Sequence, residues 1–221
     1  MNKSAIKSKI TRALRKGVNA TTRDLRGLMP ASLTAGKLYE AYSLALVCAE
    51  LKSKEACTLT LVGSSKITLK SSPGPINSKY PHIKVEKNGV HFANIWTDIE
   101  FVSLSACTTP KAHLNKGDYH EMDIVLVPSS VLGRPQHNEI LIAVESKNTG
   151  YQKNLLREIL GVRRELSYLV DPISTVFKTW PNAQVPADPP SCLLVYSTDP
   201  AIHKYSSPGN FFGINFYHAS L

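Results

Sequence analysis

The sequence predicts a single α/β domain. Three observations carry that reading. Strand-like apolar runs recur at 91–102, 119–127 and 140–147, and helical periodicity precedes and follows them. The order helix, strands, helix, strand, strand is that of an α/β layer structure. The chain of 221 residues, 43% hydrophobic and 19% charged, has the bulk of a soluble globular protein with one sizeable core.

Taken in order, residues 5–18 form a basic amphipathic helix, its narrow apolar stripe being Ile6, Ile10, Leu14 and Val18, and it breaks around Gly17 to Thr22. Residues 1–37 hold nine basic groups (Lys3, Lys7, Lys9, Arg12, Arg15, Lys16, Arg23, Arg26 and Lys37) against the single acid Asp24. The whole chain carries +9, so its remainder is almost neutral. Residues 1–35 therefore read as a basic helical arm, and 36–221 as the main domain. Such an arm suits a polyanion such as nucleic acid; the plain alternative is a solubilising extension.

The first strong helix runs from about Ser32 to Lys52, with Leu44, Val47 and Leu51 on its apolar stripe and Glu40 at the head of the same stripe. A carboxylate there is unusual, although the helix dipole alone favours an acid in the first turns. Residues 58–62 and 66–70, joined by Gly63-Ser64-Ser65, read as a hairpin, and 71–80 as a loop. The strand at 91–102 follows. Next comes Tyr119 to Val127, where Asp123 stands just before four aliphatics, Ile124 to Val127, as in a central strand covered on both faces. Lys153 to Val170 reads as a helix with Leu155, Ile159, Val162, Leu166 and Leu169 on one face and Lys153, Arg157 and Arg164 on a basic one, ended by Pro172. A Pro-rich loop then leads to strands at 192–197 and 211–217.

The strand at 140–147 ends in Glu145-Ser146-Lys147. Side chains alternate across a strand, so Glu145 and Lys147 share a face with Leu141 and Ala143. Charged groups are rare on a buried strand unless they are paired or bind something. Glu-x-Lys is short enough to arise by chance, and Glu50-Leu51-Lys52 is a second copy on a helix, where residues two apart diverge. Asp123 lies on the preceding strand; if the two strands pair, both carboxylates meet at one sheet end. Asp123, Glu145 and the Ser146 carbonyl would then make an oxygen-rich site for Mg²⁺ or Mn²⁺. Lys147 would orient or deprotonate a water, or stabilise phosphate charge. The plain alternative is a Glu145–Lys147 salt bridge with Asp123 capping a turn. Asp118 and Glu121 are rival acids, the first at a loop edge and the second on the same strand face as Asp123.

Glu40, Asp123 and Glu145-Ser146-Lys147, in this order and on these elements, resemble the PD-(D/E)-x-K nuclease superfamily, with Met122 in place of the Pro before the first acid. The resemblance spans 36 to about 217. It implies a restriction-endonuclease-like core, a mixed central sheet flanked by helices. It further implies an Mg²⁺-dependent phosphodiester hydrolase, with Asp123 and Glu145 as ligands, Lys147 as the catalytic lysine and Glu40 as the helix acid. A DNA endonuclease of the restriction, defence or mobile-element kind is the first expectation, acting as a homodimer or with a partner subunit. Lys7, Arg12, Arg15, Lys16, Arg23, Arg26, Lys153, Arg157 and Arg164 would hold phosphates. A non-catalytic nucleic-acid-binding module, a junction resolvase and an RNase are the alternatives.

Other classes fit less well. No apolar run reaches the length of a membrane span, and no apolar segment follows the basic N-terminus as in a secretory signal. The four cysteines lack C-x-x-C spacing, which suggests reduced thiols in a cytoplasmic protein. The seven histidines lack zinc-site spacing, and no nucleophile-elbow, dinucleotide or P-loop motif is present.

Overall fold

The computed structural model describes residues 3–29, 33–63, 69–70, 72–109 and 111–221. Seven strands form one sheet in the order β1 (Thr58–Val62), β2 (His82–Lys87), β3 (Val90–Val102), β4 (Tyr119–Pro128), β5 (Ile142–Lys147), β8 (Cys192–Ser197) and β9 (Ile214–His218). Neighbours are antiparallel from β1 to β5, whereas β5, β8 and β9 run parallel. The sheet is therefore mixed. A parallel neighbour requires a crossover, and α5 (Lys153–Leu166) supplies it between β5 and β8. A separate two-stranded ribbon pairs β6 (Tyr168–Ser174) with β7 (Gln184–Asp188).

Helices cover both faces. On one side α3 (Ala35–Glu55) packs its Leu44, Val47 and Leu51 into the cluster that includes Ile124 and Leu126 of β4, Ile142 and Val144 of β5, and Leu194 of β8. Thr34 caps the helix by accepting the Lys37 N–H at 3.2 Å. On the other side Leu156, Ile159 and Leu166 of α5 join Val125, Ala143, Leu193 and Val195. Burial on both faces accounts for the unbroken aliphatic run of β4.

The basic segment is helical, as α1 (Lys3–Gly17) and α2 (Thr22–Gly27). It is also built into the core. Ile10 and Leu14 of α1 and Leu25 of α2 are fully buried in the same cluster as α3 and the sheet, so these two helices pack into one body with the rest. Gly17 makes this approach possible: a Cβ there would lie 3.0 Å from both the carbonyl carbon and Cβ of Cys48 on α3.

Several elements differ from expectation. The second arm of the hairpin expected at 66–70 falls largely outside the described residues, and β1 pairs with β2, which the sequence reading left unassigned. A tight turn with Asn88 (φ 52°) and Gly89 (φ 77°) joins β2 to β3; two successive positive φ angles give the type I′ twist that strand hairpins favour. The helix expected to reach Val170 stops at Leu166, and Leu169 lies exposed on β6. Tyr168, Val170 and Ile173 are strand formers, and Pro172 sits where the β6–β7 register shifts. Residues Ser206–Phe211 form a short helix, α6, so the last strand begins at Ile214. No helix among the described residues is long and apolar enough to cross a membrane.

Candidate metal centre

β4 and β5 pair over only three positions, Ile124↔Val144 to Leu126↔Ile142. The next positions would face Asp123 with Glu145, and there the ladder stops. The two acids stand at the mouth of a fork. Across it the Ser146 amide donates to Asp123 Oδ2 at 2.6 Å. What touches Asp123 is thus the backbone N–H of Ser146, the opposite polarity to the carbonyl contribution expected of that residue.

A third carboxylate arrives from β3. Thr97 pairs with Ile124 and Ile99 with Met122, so Asp98 lies opposite Asp123. Asp98 has φ 53°, a left-handed conformation that non-glycine residues rarely adopt. At this level the in–out alternation of both strands breaks. Ile95 and Ile124 pack on the α3 side, whereas Ile99 and Met122 pack on the α5 side. Such irregularities re-aim side chains, and here they accompany two acids.

Glu40 on α3 completes the group. One carboxylate oxygen from each of Glu40, Asp98 and Asp123 lies within 4.8 Å of the others. Lys37, one turn before Glu40, pairs with Glu40 at 2.7 Å and also with Asp98. Lys70 donates to the Asp98 carbonyl at 2.8 Å. Asp98 is 1% exposed, and among the described residues its buried Oδ2 has no donor group as partner, while the Glu121 carboxyl stands beside the Asp98 carboxylate.

Burial raises the pKa of Asp123 well above the ordinary carboxylate range, and the charges of Glu145 and Glu40 push it further. Burial likewise raises Glu40 and Asp98, although Lys37 opposes the rise in both. Lys37 itself is driven up: Asp98 and Glu40 outweigh the effect of its own burial.

Glu145 and Lys147 sit beside this group in an ion pair at 2.8 Å, and Lys147 also reaches Glu158 of α5 at 3.0 Å. Burial raises Glu145 against the pull of Lys147. For Lys147, burial lowers the pKa but Glu145 and Glu158 more than reverse it, so the ammonium stays charged. The Tyr151 hydroxyl, close enough to feel Lys147, Glu158 and Glu145, is buried and has no hydrogen-bond partner among the described residues.

The fold therefore brings together four residues singled out from sequence, Glu40, Asp123, Glu145 and Lys147, and adds Asp98, Lys37 and Glu158. An acid amid the apolar residues of the 91–102 strand was the available signal for Asp98. Of the rival acids, Asp118 is occupied by Lys111 and by the Asn115 N–H at 2.7 Å. Glu121 lies close enough that burial, Asp98 and Glu145 all raise its pKa. The basic residues named for phosphate contact lie apart from this cluster. Arg12, Arg15, Lys16, Arg23 and Arg26 on α1 and α2, and Lys153, Arg157 and Arg164 on α5, are exposed, while Lys7 is half-buried and donates to the Met29 carbonyl at 3.2 Å.

The carboxylates fit a hard divalent cation. Octahedral Mg²⁺ holds oxygens at about 2.0–2.1 Å, which separates cis ligands by about 2.9 Å and trans ligands by about 4.1 Å. At most one of the three oxygen pairs can be trans on one octahedral ion, so from separations of up to 4.8 Å at least two pairs close by as much as about 1.9 Å when such an ion is held. Asp98 Oδ2 is buried, and the neighbour facing the Asp98 carboxylate besides Lys37 is the carboxyl of Glu121, so a shared proton or a bound cation would each relieve the repulsion there. In comparisons with known proteins, the chain matches no family model, no curated protein and no solved structure.

Proposed function

We propose that this protein is a metal-dependent phosphodiester hydrolase acting on DNA, with Mg²⁺ or Mn²⁺ held by Glu40, Asp98 and Asp123. The observation that carries the reading is the fork. It gathers carboxylates from α3, β3 and β4 beside a lysine that is ion-paired on a Glu-x-Lys strand end. The element order supports the reading: a helix with an acid, five antiparallel strands of which the last three carry Asp98, Asp123 and Glu145, a crossover helix and a parallel strand.

A bound Mg²⁺ or Mn²⁺ supplies Lewis acidity toward a phosphoryl oxygen and makes a water more acidic. Lys147, kept protonated by Glu145 and Glu158, serves as a fixed cation toward the phosphate and as an orienting donor to the attacking water; its charge state argues against the role of base. Glu145 holds Lys147 in place and adds negative charge at the cluster's edge. The exposed basic residues of α1, α2 and α5 supply phosphate contacts along the duplex. Cleavage of both strands requires two such sites, and hence a second copy or a partner subunit.

The test is cleavage of supercoiled plasmid in Mg²⁺ and in Mn²⁺ by wild type, Asp98→Asn, Asp123→Asn and Lys147→Ala. Wild-type nicking or linearisation, abolished by EDTA and by each substitution, is the expected result. Intact plasmid that still shifts on a gel would replace this reading with a binding module. Cleavage confined to four-way junctions or RNA would redirect the substrate.

A further inference from the structure

We infer that the cleft between α4 (Leu104–Thr108), α5 and the β6–β7 ribbon binds a small amphiphilic anion, a carboxylate or phosphate headgroup on an apolar body. The argument starts at Arg163. On α5 it belongs to the core-facing stripe Leu156, Ile159, Arg163 and Leu166, and it is 4% exposed. A buried charge is expensive unless an opposite charge meets it. Arg163 meets only neutral acceptors. Nη1 donates to the Ser191 carbonyl at 2.8 Å, and Nη2 donates to Ser191 Oγ at 2.9 Å and to Ser167 Oγ.

Among the described residues no carboxylate forms an ion pair with Arg163. The titratable group that most affects it is the Cys192 thiol, which burial pushes up to about 12 and so keeps neutral. Uncompensated burial draws the guanidinium itself down to about 10. A guanidinium carries five N–H donors, of which these contacts use three. With both Nη2 hydrogens engaged, the two that remain, one on Nε and one on Nη1, can each donate a single charge-assisted hydrogen bond to a carboxylate or phosphate oxygen.

Arg163 lines a cleft of about 530 Å³, within the usual ~300–1,000 Å³ of small-molecule sites. The walls are apolar: Leu104, Leu160, Leu169, Pro186, Ala187 and Phe212. Arg164 adds a second cation to the lining. The one acid there, Glu165, accepts the Ser105 N–H at 3.0 Å. Cations outnumber acids, and apart from the hydroxyls of Ser105, Thr108, Ser167 and Tyr168 the remaining lining is hydrocarbon, which describes the complement of an anion with an apolar tail. Tyr168 and Leu169, 55% and 56% exposed, extend the apolar surface outward.

The experiment titrates the full chain with decanoate, decyl phosphate and decanol, each below its aggregation concentration. Backbone amide shifts and the melting temperature are followed. The two anions should move the amides of Ser105, Leu160 and Leu169 and bind at least tenfold more tightly than decanol; the tighter anion identifies the headgroup. Arg163→Met should reduce anion binding to the level of decanol. Leu160→Trp, which fills the cleft and leaves the Arg163 hydrogen bonds in place, should abolish binding while the protein stays folded. Equal binding of anions and decanol, or undiminished binding by Leu160→Trp, overturns the inference and leaves Arg163 as a clamp between α5 and the start of β8. None of these readouts depends on phosphodiester hydrolysis.

Discussion

Replacing Asp123 with Asn should stabilise the metal-free protein, by an amount that grows with pH. The oxygens of Glu40, Asp98 and Asp123 lie within 4.8 Å of one another. At an effective dielectric of about 20, each ionised pair at that separation costs about 3.5 kcal/mol. Lys37 offsets part of this for Glu40 and Asp98, to which it is bonded. Asp123 relieves part of its own share by holding a proton, since burial, Glu145 and Glu40 raise its pKa. A net gain of about 1–3 kcal/mol at pH 8 follows for the variant. Asn retains an oxygen for the Ser146 N–H, so that hydrogen bond survives.

The pH dependence has a definite sign. Below the ordinary aspartate pKa of about 3.9 the group is protonated folded and unfolded, and the substitution is nearly neutral. As pH rises past that value the unfolded chain releases the proton while the folded one retains it. Wild type therefore loses stability relative to the variant until the raised folded-state pKa is reached. Urea unfolding of both proteins in EDTA between pH 4 and pH 8 measures this. Mg²⁺ or Mn²⁺ should then favour wild type, by about 2.7 kcal/mol at 100 times its dissociation constant. A variant less stable than wild type at pH 8 in EDTA, or a difference that does not change with pH, would refute the reasoning.

Glu55, 3% exposed, accepts the N–H groups of Lys178, Thr179 and Trp180 and pairs with Lys87 at 2.7 Å. Burial raises its pKa, but Lys87 and these donors outweigh it and pull the group down to about 2. Glu55→Gln should therefore lose about 3 kcal/mol at pH 7 in chemical denaturation. The loss should shrink as pH falls from the ordinary carboxylate range toward 2, where wild type protonates too; a constant loss would contradict the charge argument. Leu14→Ala should lose about 2–5 kcal/mol in the same assay, because Leu14 is fully buried between α1 and the core, and a negligible loss would mean that α1 is dispensable to it. Replacing Arg12, Arg15 and Lys16 together with Ala should weaken duplex binding and lower the slope of log affinity against log salt by roughly 2–3, read by fluorescence anisotropy. An unchanged slope would remove α1 from the DNA interface.

How much was legible depends on whether each signal was local. The aliphatic run after Asp123 and the alternation before Glu145 mark β4 and β5 without help from the rest of the chain. β2 was legible: Ile83 and Val85 alternate with His82, Lys84 and Glu86 as in a half-buried strand, and Asn88-Gly89 is a strong short hairpin signal. The apolar periodicity of α5, through Leu155, Ile159, Val162 and Leu166, differs slightly in phase from the face that is buried. The buried stripe passes through Leu156 and Arg163, with Leu155 and Val162 only partly buried. A long cation such as Arg163 is ordinarily a surface residue, and it is the contacts with Ser167 and Ser191 that bury it. Asp98 was hidden for a different reason. Its place in the cluster comes from a left-handed residue and a paired break in two strands, which arise from tertiary packing. Glu55 is similar, since its donors come from residues more than 120 positions away.

The three-pair ladder between β4 and β5 makes the connection between them a gauge. Slipping β5 by one position would turn Glu145 and Lys147 to the opposite side of the sheet and put Ile142 and Val144 where they point now. A two-residue slip would keep the facing but carry Glu145 roughly 7 Å along the strand, away from Asp123. The length of chain between Pro128 and Ile142 is thus under tighter constraint than most of the residues within it. An inserted or deleted residue in that connection would do more damage to the carboxylate cluster than most substitutions there.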